Sequence, residues 1–167
     1  MREIVGIIGG GHYKESDAEY KFAVELAHNL VSAGYRIVTG GKGGVMEAAS
    51  MGAMNSSGYF EGSVICILNE SSKDSANDFC DVVIPTGIGI SRNIILVNTA
   101  DIFVAIGGGA GTMSEIAFAW QRGKTVLCVT KFDGWAKNLA GQKLDERHND
   151  LLIPVKSVDE IIEILTK

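Results

Sequence analysis

The sequence predicts a three-layer, doubly wound α/β fold with a mostly parallel sheet of about six or seven strands. Short apolar runs alternate with segments of helical spacing along the whole chain. The runs are apolar almost without interruption, as in parallel strands that are buried on both faces. With 167 residues, 46% of them hydrophobic, the chain is long enough for one full core. We therefore expect a single Rossmann-like domain over residues 1–167.

Each predicted element follows from a local pattern. Apolar, partly β-branched runs predict strands at 4–8, 36–39, 64–68, 81–85, 102–106 and 125–129, with a last short strand at 153–155. Apolar residues at helical spacing predict helices that end at Gly34, that span 45–54, 93–100 and 112–122, and that begin at Ser157. The segment 131–151 is polar and mixed, and we expect a loop with one short helix there.

Three S/T-x-x-E sequences have the form of a capping box. In this motif a hydroxyl at the helix N-cap and a glutamate three residues later bond reciprocally to the first backbone amides. The pairs are Ser16/Glu19, Thr112/Glu115 and Ser157/Glu160.

Composition narrows the classes of partner. The net charge of −5 and the sequence pI of about 5.2 give no basic footprint, so we do not expect nucleic-acid binding. No apolar stretch is long enough to span a bilayer. The 3 cysteines are an odd number and include no CxxC pair, which argues against a metal site or a disulfide framework. We expect a reduced, cytoplasmic protein.

Three glycine clusters follow three different predicted strands, at residues 9–11, 40–44 and 107–111. In a parallel sheet all strand C-termini lie at one edge, where open α/β sheets bind ligands. A single cluster needs no ligand to explain it, because tight βα turns use glycine anyway. Three clusters at one edge predict a crevice for a phosphate or a nucleotide. The candidate ligand contacts are Gly10, Gly11, Gly41, Lys42, Gly43, Gly44, Gly108, Gly109, Gly111 and Thr112.

The third cluster carries most of this prediction. It joins a predicted strand to a predicted helix, and free amides at a helix N-terminus favour an anion. The standard nucleotide fingerprints are missing, however. Gly-x-Gly-x-x-Gly does not follow the first strand, and no G-K-[ST] follows Lys42. Classical dinucleotide binding is therefore disfavoured, and Gly40 to Gly44 is not a Walker A loop.

Each charged residue near the glycine clusters has two interpretations. Arg92, with Asn93 beside it, follows the fourth strand, and its planar fork suits a phosphate or carboxylate. The alternative for Arg92 is a bridge to a nearby acid, and the alternative for Lys42 is a solvated loop position. Glu115 is either the capping-box acid of its helix or a group that acts on the ligand.

These residues resemble the LOG family, long mislabelled "lysine decarboxylase-like". Residues 105–115 look like its PGGxGTxxE motif, Arg92 like the arginine of its RK pair, and 40–46 like its earlier glycine loop. The resemblance covers residues 4–129. It implies a Rossmann-like fold, a dimer or larger homo-oligomer, and catalytic roles for Glu115 and Arg92. Characterised LOG members are phosphoribohydrolases, and the wider superfamily includes Smf/DprA proteins and molybdenum-cofactor carriers.

The chain departs from the LOG motif at three positions. Gly107 replaces the motif proline, Ala110 a bulky residue, and Asn93 the lysine of the RK pair. With these departures, the chain resembles the bacterial, carrier-like branch of the superfamily more than the plant-type hydrolases.

Two functions follow. One is hydrolysis of the N-glycosidic bond of a nucleoside monophosphate, with Glu115 stabilising oxocarbenium-like charge or orienting a water. The alternative is non-catalytic binding or carriage of a nucleotide or the molybdenum cofactor. A lysine decarboxylase is not expected, since the sequence has no recognisable pyridoxal-phosphate lysine context. We expect no resident cofactor or metal, and a phosphorylated small molecule as the partner.

Overall fold

The computed structural model describes residues 2–167, which form one seven-stranded parallel sheet with helices on both faces. This confirms the predicted fold class. The strands are β1 (Ile4–Gly9), β2 (Arg36–Thr39), β3 (Val64–Leu68), β4 (Val82–Pro85), β5 (Ile102–Ile106), β6 (Val126–Val129) and β7 (Leu152–Val155). The helices are α1 (Ala18–Ser32), α2 (Val45–Met54), α3 (Arg92–Thr99), α4 (Ala110–Gln121), α5 (Trp135–Leu139) and α6 (Val158–Leu165).

The strand order creates a switch point between β1 and β5. The sheet runs β4-β3-β2-β1-β5-β6-β7, so the chain winds outward from β1 to β4 and then returns through α3 to the other side of β1. At the C-terminal edge, Gly9 of β1 lies in register with Ile106 of β5. The loops that follow these two strands therefore diverge from neighbouring points. A crevice at such a point is where open α/β sheets bind ligands.

The core has two layers, one on each face of the sheet. In β5, Val104 and Ile106 pack with α1, α2 and α6, whereas Phe103 and Ala105 pack with α3, α4 and α5. Both sets are fully buried. Because most residues of the inner strands face one of two apolar layers, these strands appear in the sequence as uninterrupted apolar runs. No helix within residues 2–167 combines the length and apolarity needed to span a bilayer.

The capping-box predictions have different outcomes at the two ends of the chain. At α6 half of the predicted box forms. The hydroxyl of Ser157 accepts a hydrogen bond from the amide of Glu160 at 3.2 Å, whereas the Glu160 carboxylate accepts from the amide of Lys156, one residue before the N-cap, at 2.7 Å. At α1 the prediction for Ser16 and Glu19 is wrong. The helix begins one residue later, with Asp17 as its N-cap, and the carboxylate of Asp17 accepts a hydrogen bond from the amide of Lys14 at 2.8 Å.

Cys66 and Cys80 form a disulfide, so the expectation of a reduced chain without disulfides is wrong. The partners are 14 positions apart and share no sequence motif. They meet because β4, which begins just after Cys80, pairs with β3, which contains Cys66. The odd cysteine is Cys128, which is buried and free in β6.

Candidate functional site

A cavity of about 370 Å³ lies at the switch point, at the C-terminal edge of the sheet. Loops after β1, β2 and β5 form its wall together with the N-terminal ends of α3 and α4. This volume is within the range typical of small-molecule sites. The lining residues are Ile7, Ile8, Gly9, Gly10, Gly11, His12, Gly40, Met46, Asn69, Ile90, Arg92, Asn93, Gly109, Gly111, Thr112 and Glu115.

The turn between β5 and α4 is built on glycines that no other residue replaces easily. Gly107 and Gly108 adopt φ values of +56° and +86°, in the left-handed region that glycine favours. Their carbonyls accept hydrogen bonds of 3.0 Å from the amides of Ala136 and Trp135, respectively. The turn therefore begins α4 at Ala110, with the positive end of its dipole at the cavity.

Space opens in front of this helix end. A Cβ atom added at Gly109 or Gly111 would have no atom within 4 Å. Both glycines line the cavity. Their backbones are therefore accessible to a ligand at close range, which is the arrangement that phosphate-binding turns use.

Arg92 and Glu115 form a buried ion pair on the cavity wall. Arg92, the first residue of α3, donates from Nη1 to Oε1 of Glu115 on α4 at 3.3 Å. Their side chains are only 11% and 9% exposed. Gly40, after β2, makes room for this pair, because a Cβ there would lie 2.8 Å from the guanidinium carbon of Arg92.

Glu115 is not a capping-box residue, so that alternative is wrong. The N-cap of α4 is Gly109, and no side chain caps it. Thr112 and Glu115 therefore both lie inside the helix, and Glu115 turns to Arg92. Burial raises the pKa of the Glu115 carboxyl to about 7, and the opposite charge of Arg92 offsets only part of this effect.

Arg92 keeps unused hydrogen-bonding capacity. Its Nε is the one buried side-chain nitrogen or oxygen without a hydrogen-bond partner among residues 2–167. A buried donor without a partner costs about 1–3 kcal/mol, so such groups are rare unless a ligand or water completes them. Arg92 therefore forms an ion pair with Glu115 and still has an unused hydrogen-bond donor at the cavity wall.

Asn93, beside Arg92, connects α3 to α4. Its Nδ2 donates to the hydroxyl of Ser114 at 3.0 Å, and that hydroxyl donates to the carbonyl of Gly111 at 2.7 Å. Asn93 is also part of the cavity wall. The bridge holds the N-terminal ends of the two helices side by side.

The predicted site residues divide into two groups. The cavity wall includes Gly10, Gly11, Arg92, Asn93, Gly109, Gly111, Thr112 and Glu115. Gly41, Lys42, Gly43, Gly44 and Gly108 lie outside the wall. Among them, Lys42 turns to Glu70, with 2.6 Å between Nζ and Oε1. Gly44 packs closely against the backbone of Gly11, which is a wall residue. The φ of Gly44 is +66°, and a Cβ there would lie 2.7 Å from the Cα of Gly11.

Eight wall residues are not among the predicted ligand contacts, namely Ile7, Ile8, Gly9, His12, Gly40, Met46, Asn69 and Ile90. Gly40 belongs to the second glycine cluster, so its position gave a signal, but its role beside Arg92 depends on packing between distant segments. Asn69 lies in the loop after β3 and Ile90 in a short 3₁₀ helix after β4, and no motif marks either of them.

The fold and the cavity define a Rossmann-like domain with a ligand crevice at its switch point. The sequence matches the SLOG cluster4 family over residues 2–162, and the chain belongs to this family. An uncharacterised protein of Archaeoglobus fulgidus is 40% identical over 125 residues, which are 75% of this chain and 78% of that protein.

Solved structures with similar folds agree with this assignment. The structural-genomics target TM1055 aligns with a TM-score of 0.86 and 29% identity over 99% of both chains. The molybdenum cofactor binding protein of Rippkaea orientalis aligns at 0.84 and 30%, covering 99% of this chain and 96% of the other. The molybdenum cofactor carrier protein of Chlamydomonas reinhardtii aligns at 0.81 and 27%, covering 99% and 97%. The predicted resemblance to the LOG-like, carrier-related superfamily is confirmed.

Proposed function

We propose that this protein binds a phosphorylated small molecule in the switch-point cavity, and that it acts as a binding or carrier protein. The molybdenum cofactor, whose organic part carries a phosphate, is the first candidate cargo. The phosphate contacts the backbone amides at the start of α4, with Arg92 as its charged partner.

The observation that carries the proposal is the unsatisfied Nε of Arg92 in a cavity walled by glycine backbone. Nη1 of Arg92 donates to Glu115, whereas Nε and Nη2 have no partner among residues 2–167. An anion oxygen accepts from such a donor in a charge-assisted hydrogen bond, which is about twice as strong as a neutral one. The positive end of α4 faces the same space and adds to this attraction.

The choice of cargo draws on the similar proteins. Two of them are named for binding or carrying the molybdenum cofactor, and both align over nearly their whole length. Asn93 supports the same choice, since the resemblance that predicts a hydrolase has a lysine at this position. The cavity volume of about 370 Å³ fits one small-molecule cargo.

Binding is tested with molybdenum cofactor released from a donor enzyme and with nucleoside 5′-monophosphates, each beside its dephosphorylated form. Arg92→Leu should weaken binding of the phosphorylated forms about 10- to 100-fold, because a charge-assisted hydrogen bond contributes roughly 1.5–3 kcal/mol. Arg122→Leu, at an exposed arginine outside the cavity, is the matched control and should leave affinity unchanged. Equal affinity for phosphorylated and dephosphorylated forms would contradict the proposal.

A second candidate, N-glycosidic hydrolysis of a nucleoside monophosphate, has one observation in its favour. Glu115 lies on the cavity wall with a pKa of about 7, the range that suits an acid or base at neutral pH. The same nucleotide incubations are therefore scored for free base. Release that disappears in Glu115→Ala favours a hydrolase over a carrier, whereas tight binding without release favours the carrier.

A further inference from the structure

We propose that the cavity takes up one proton together with its anionic ligand, and that this proton resides on Glu115. The inference rests on the proposed function, since it concerns the charge balance of the same site. It makes the affinity for an anion depend on pH and gives a carrier a way to release its cargo.

The geometry places one positive and one negative charge where a second negative charge must enter. Arg92 and Glu115 are in contact, both nearly buried, and both on the cavity wall. Two nitrogens of the Arg92 guanidinium have no partner among residues 2–167, the buried Nε and Nη2, so an anion bound to this side chain shares the guanidinium with Glu115. Two negative groups on one buried cation repel each other strongly at low dielectric. Protonation of Glu115 removes this repulsion.

The other elements around Glu115 supply no competing charge. The loop after β1 contributes His12 as the one further titratable side chain on the cavity wall among residues 2–167. The loops after β2 and β3 contribute Gly40 and Asn69, and α2 contributes Met46, all uncharged. Glu115 is therefore the carboxyl whose protonation can follow ligand binding, and His12 is the residue that the experiment must separate from it.

The direction of the pH effect follows from linkage. Without ligand, the pKa of Glu115 is about 7, so the carboxyl is partly ionised at neutral pH. A bound anion raises this pKa further and draws in a proton. Affinity is therefore highest below about pH 7 and falls as pH rises, by at most about tenfold per pH unit for one proton.

Sulfate is the probe, because it keeps its double charge across the range tested and adds no titration of its own. Affinity is measured from the rise in melting temperature against sulfate concentration, with sodium chloride at equal ionic strength as the reference. For the wild-type protein we expect affinity to fall about tenfold between about pH 6.5 and about pH 8.5. Glu115→Gln, which cannot ionise, should bind sulfate with less than about twofold change over this range.

Two control variants assign the proton. His12→Gln should keep the pH dependence, whatever its effect on affinity. Glu163→Gln, at an exposed glutamate of α6, should behave like wild type. The inference is overturned if the wild type binds sulfate equally well at every pH. It is also overturned if the pH dependence of sulfate affinity persists in Glu115→Gln or disappears in His12→Gln. Each of these results leaves the anion site itself intact. If neither sulfate nor any phosphorylated compound binds at any pH, the proposed function fails as well.

Discussion

The same sequence pattern has different structural roles at Glu115 and at Glu160. Thr112-x-x-Glu115 and Ser157-x-x-Glu160 are the same motif, yet only the second caps a helix. The difference is the point at which the helix starts. Gly107 and Gly108 turn the chain early, so α4 begins before Thr112, and Glu115 reaches the second turn of the helix. There it meets Arg92 instead of the helix N-terminus.

The raised pKa of Glu115 makes a prediction about folding stability. Its pKa is 4.5 when unfolded and about 7 when folded, so between these values the folded state holds a proton that the unfolded state has lost. This favourable contribution is complete below about pH 4.5 and is lost as pH rises through about 7, with a slope of at most about 1.4 kcal/mol per pH unit.

Urea unfolding of wild type and Glu115→Gln at several values between about pH 5 and about pH 8 measures this contribution. We expect the free energy of unfolding of the wild type to decline relative to the variant up to about pH 7 and to run parallel above it. A constant difference across the range would contradict the assignment of the raised pKa to Glu115.

At the scale of the element, the turn between β5 and α4 is more specific than its glycine content suggests. The cluster 107–111 predicts a turn and an anion site, but sequence alone does not tell which glycines are required. The structure separates them. Gly107 has a φ of +56°, which proline, fixed near −65°, cannot adopt. A proline at this position, as in the LOG motif, is therefore incompatible with the backbone of this turn.

Gly108 and Gly111 provide a matched pair of substitutions in this turn. Gly108→Ala puts a side chain on a residue with φ +86° and brings its Cβ to 2.5 Å from the Cβ of Thr112. It should lower the free energy of unfolding by about 1–3 kcal/mol. Gly111→Ala lies in α4 with open space around it, so it should raise stability by about 0.5–1 kcal/mol. Chemical denaturation measures both, and equal effects would contradict the described turn.

At the scale of the whole molecule, the sheet could be predicted because its signal is local. Strands that are buried on both faces appear in the sequence as apolar runs. The parallel topology then brings the three glycine clusters to one edge of the sheet. Contacts between distant segments carry no such signal. The Cys66–Cys80 disulfide depends on the pairing of β3 with β4, and the turn of Lys42 toward Glu70 depends on the packing of two loops. The sequence therefore predicts where the crevice lies better than which side chains line it.

The crevice also depends on three segments that only the complete fold brings together. Gly40 follows β2, Arg92 begins α3, and Glu115 lies on α4. Because a Cβ at Gly40 would lie 2.8 Å from the guanidinium carbon of Arg92, that side chain can keep its place beside Glu115 only if residue 40 is glycine. The guanidinium is the mobile end of a long side chain, so it can move away without unfolding the protein.

Gly40→Ala should therefore separate Arg92 from Glu115 and weaken binding of phosphorylated ligands about tenfold or more, as expected from loss of a charge-assisted hydrogen bond. Gly43→Ala is the matched control in the same loop, since a Cβ there meets its nearest atom, the carbonyl oxygen of Gly11, at an ordinary 3.5 Å. Ligand titration and circular dichroism of both variants measure affinity and folding. Unchanged affinity in a folded Gly40→Ala protein would show that the position of Arg92 does not govern the site.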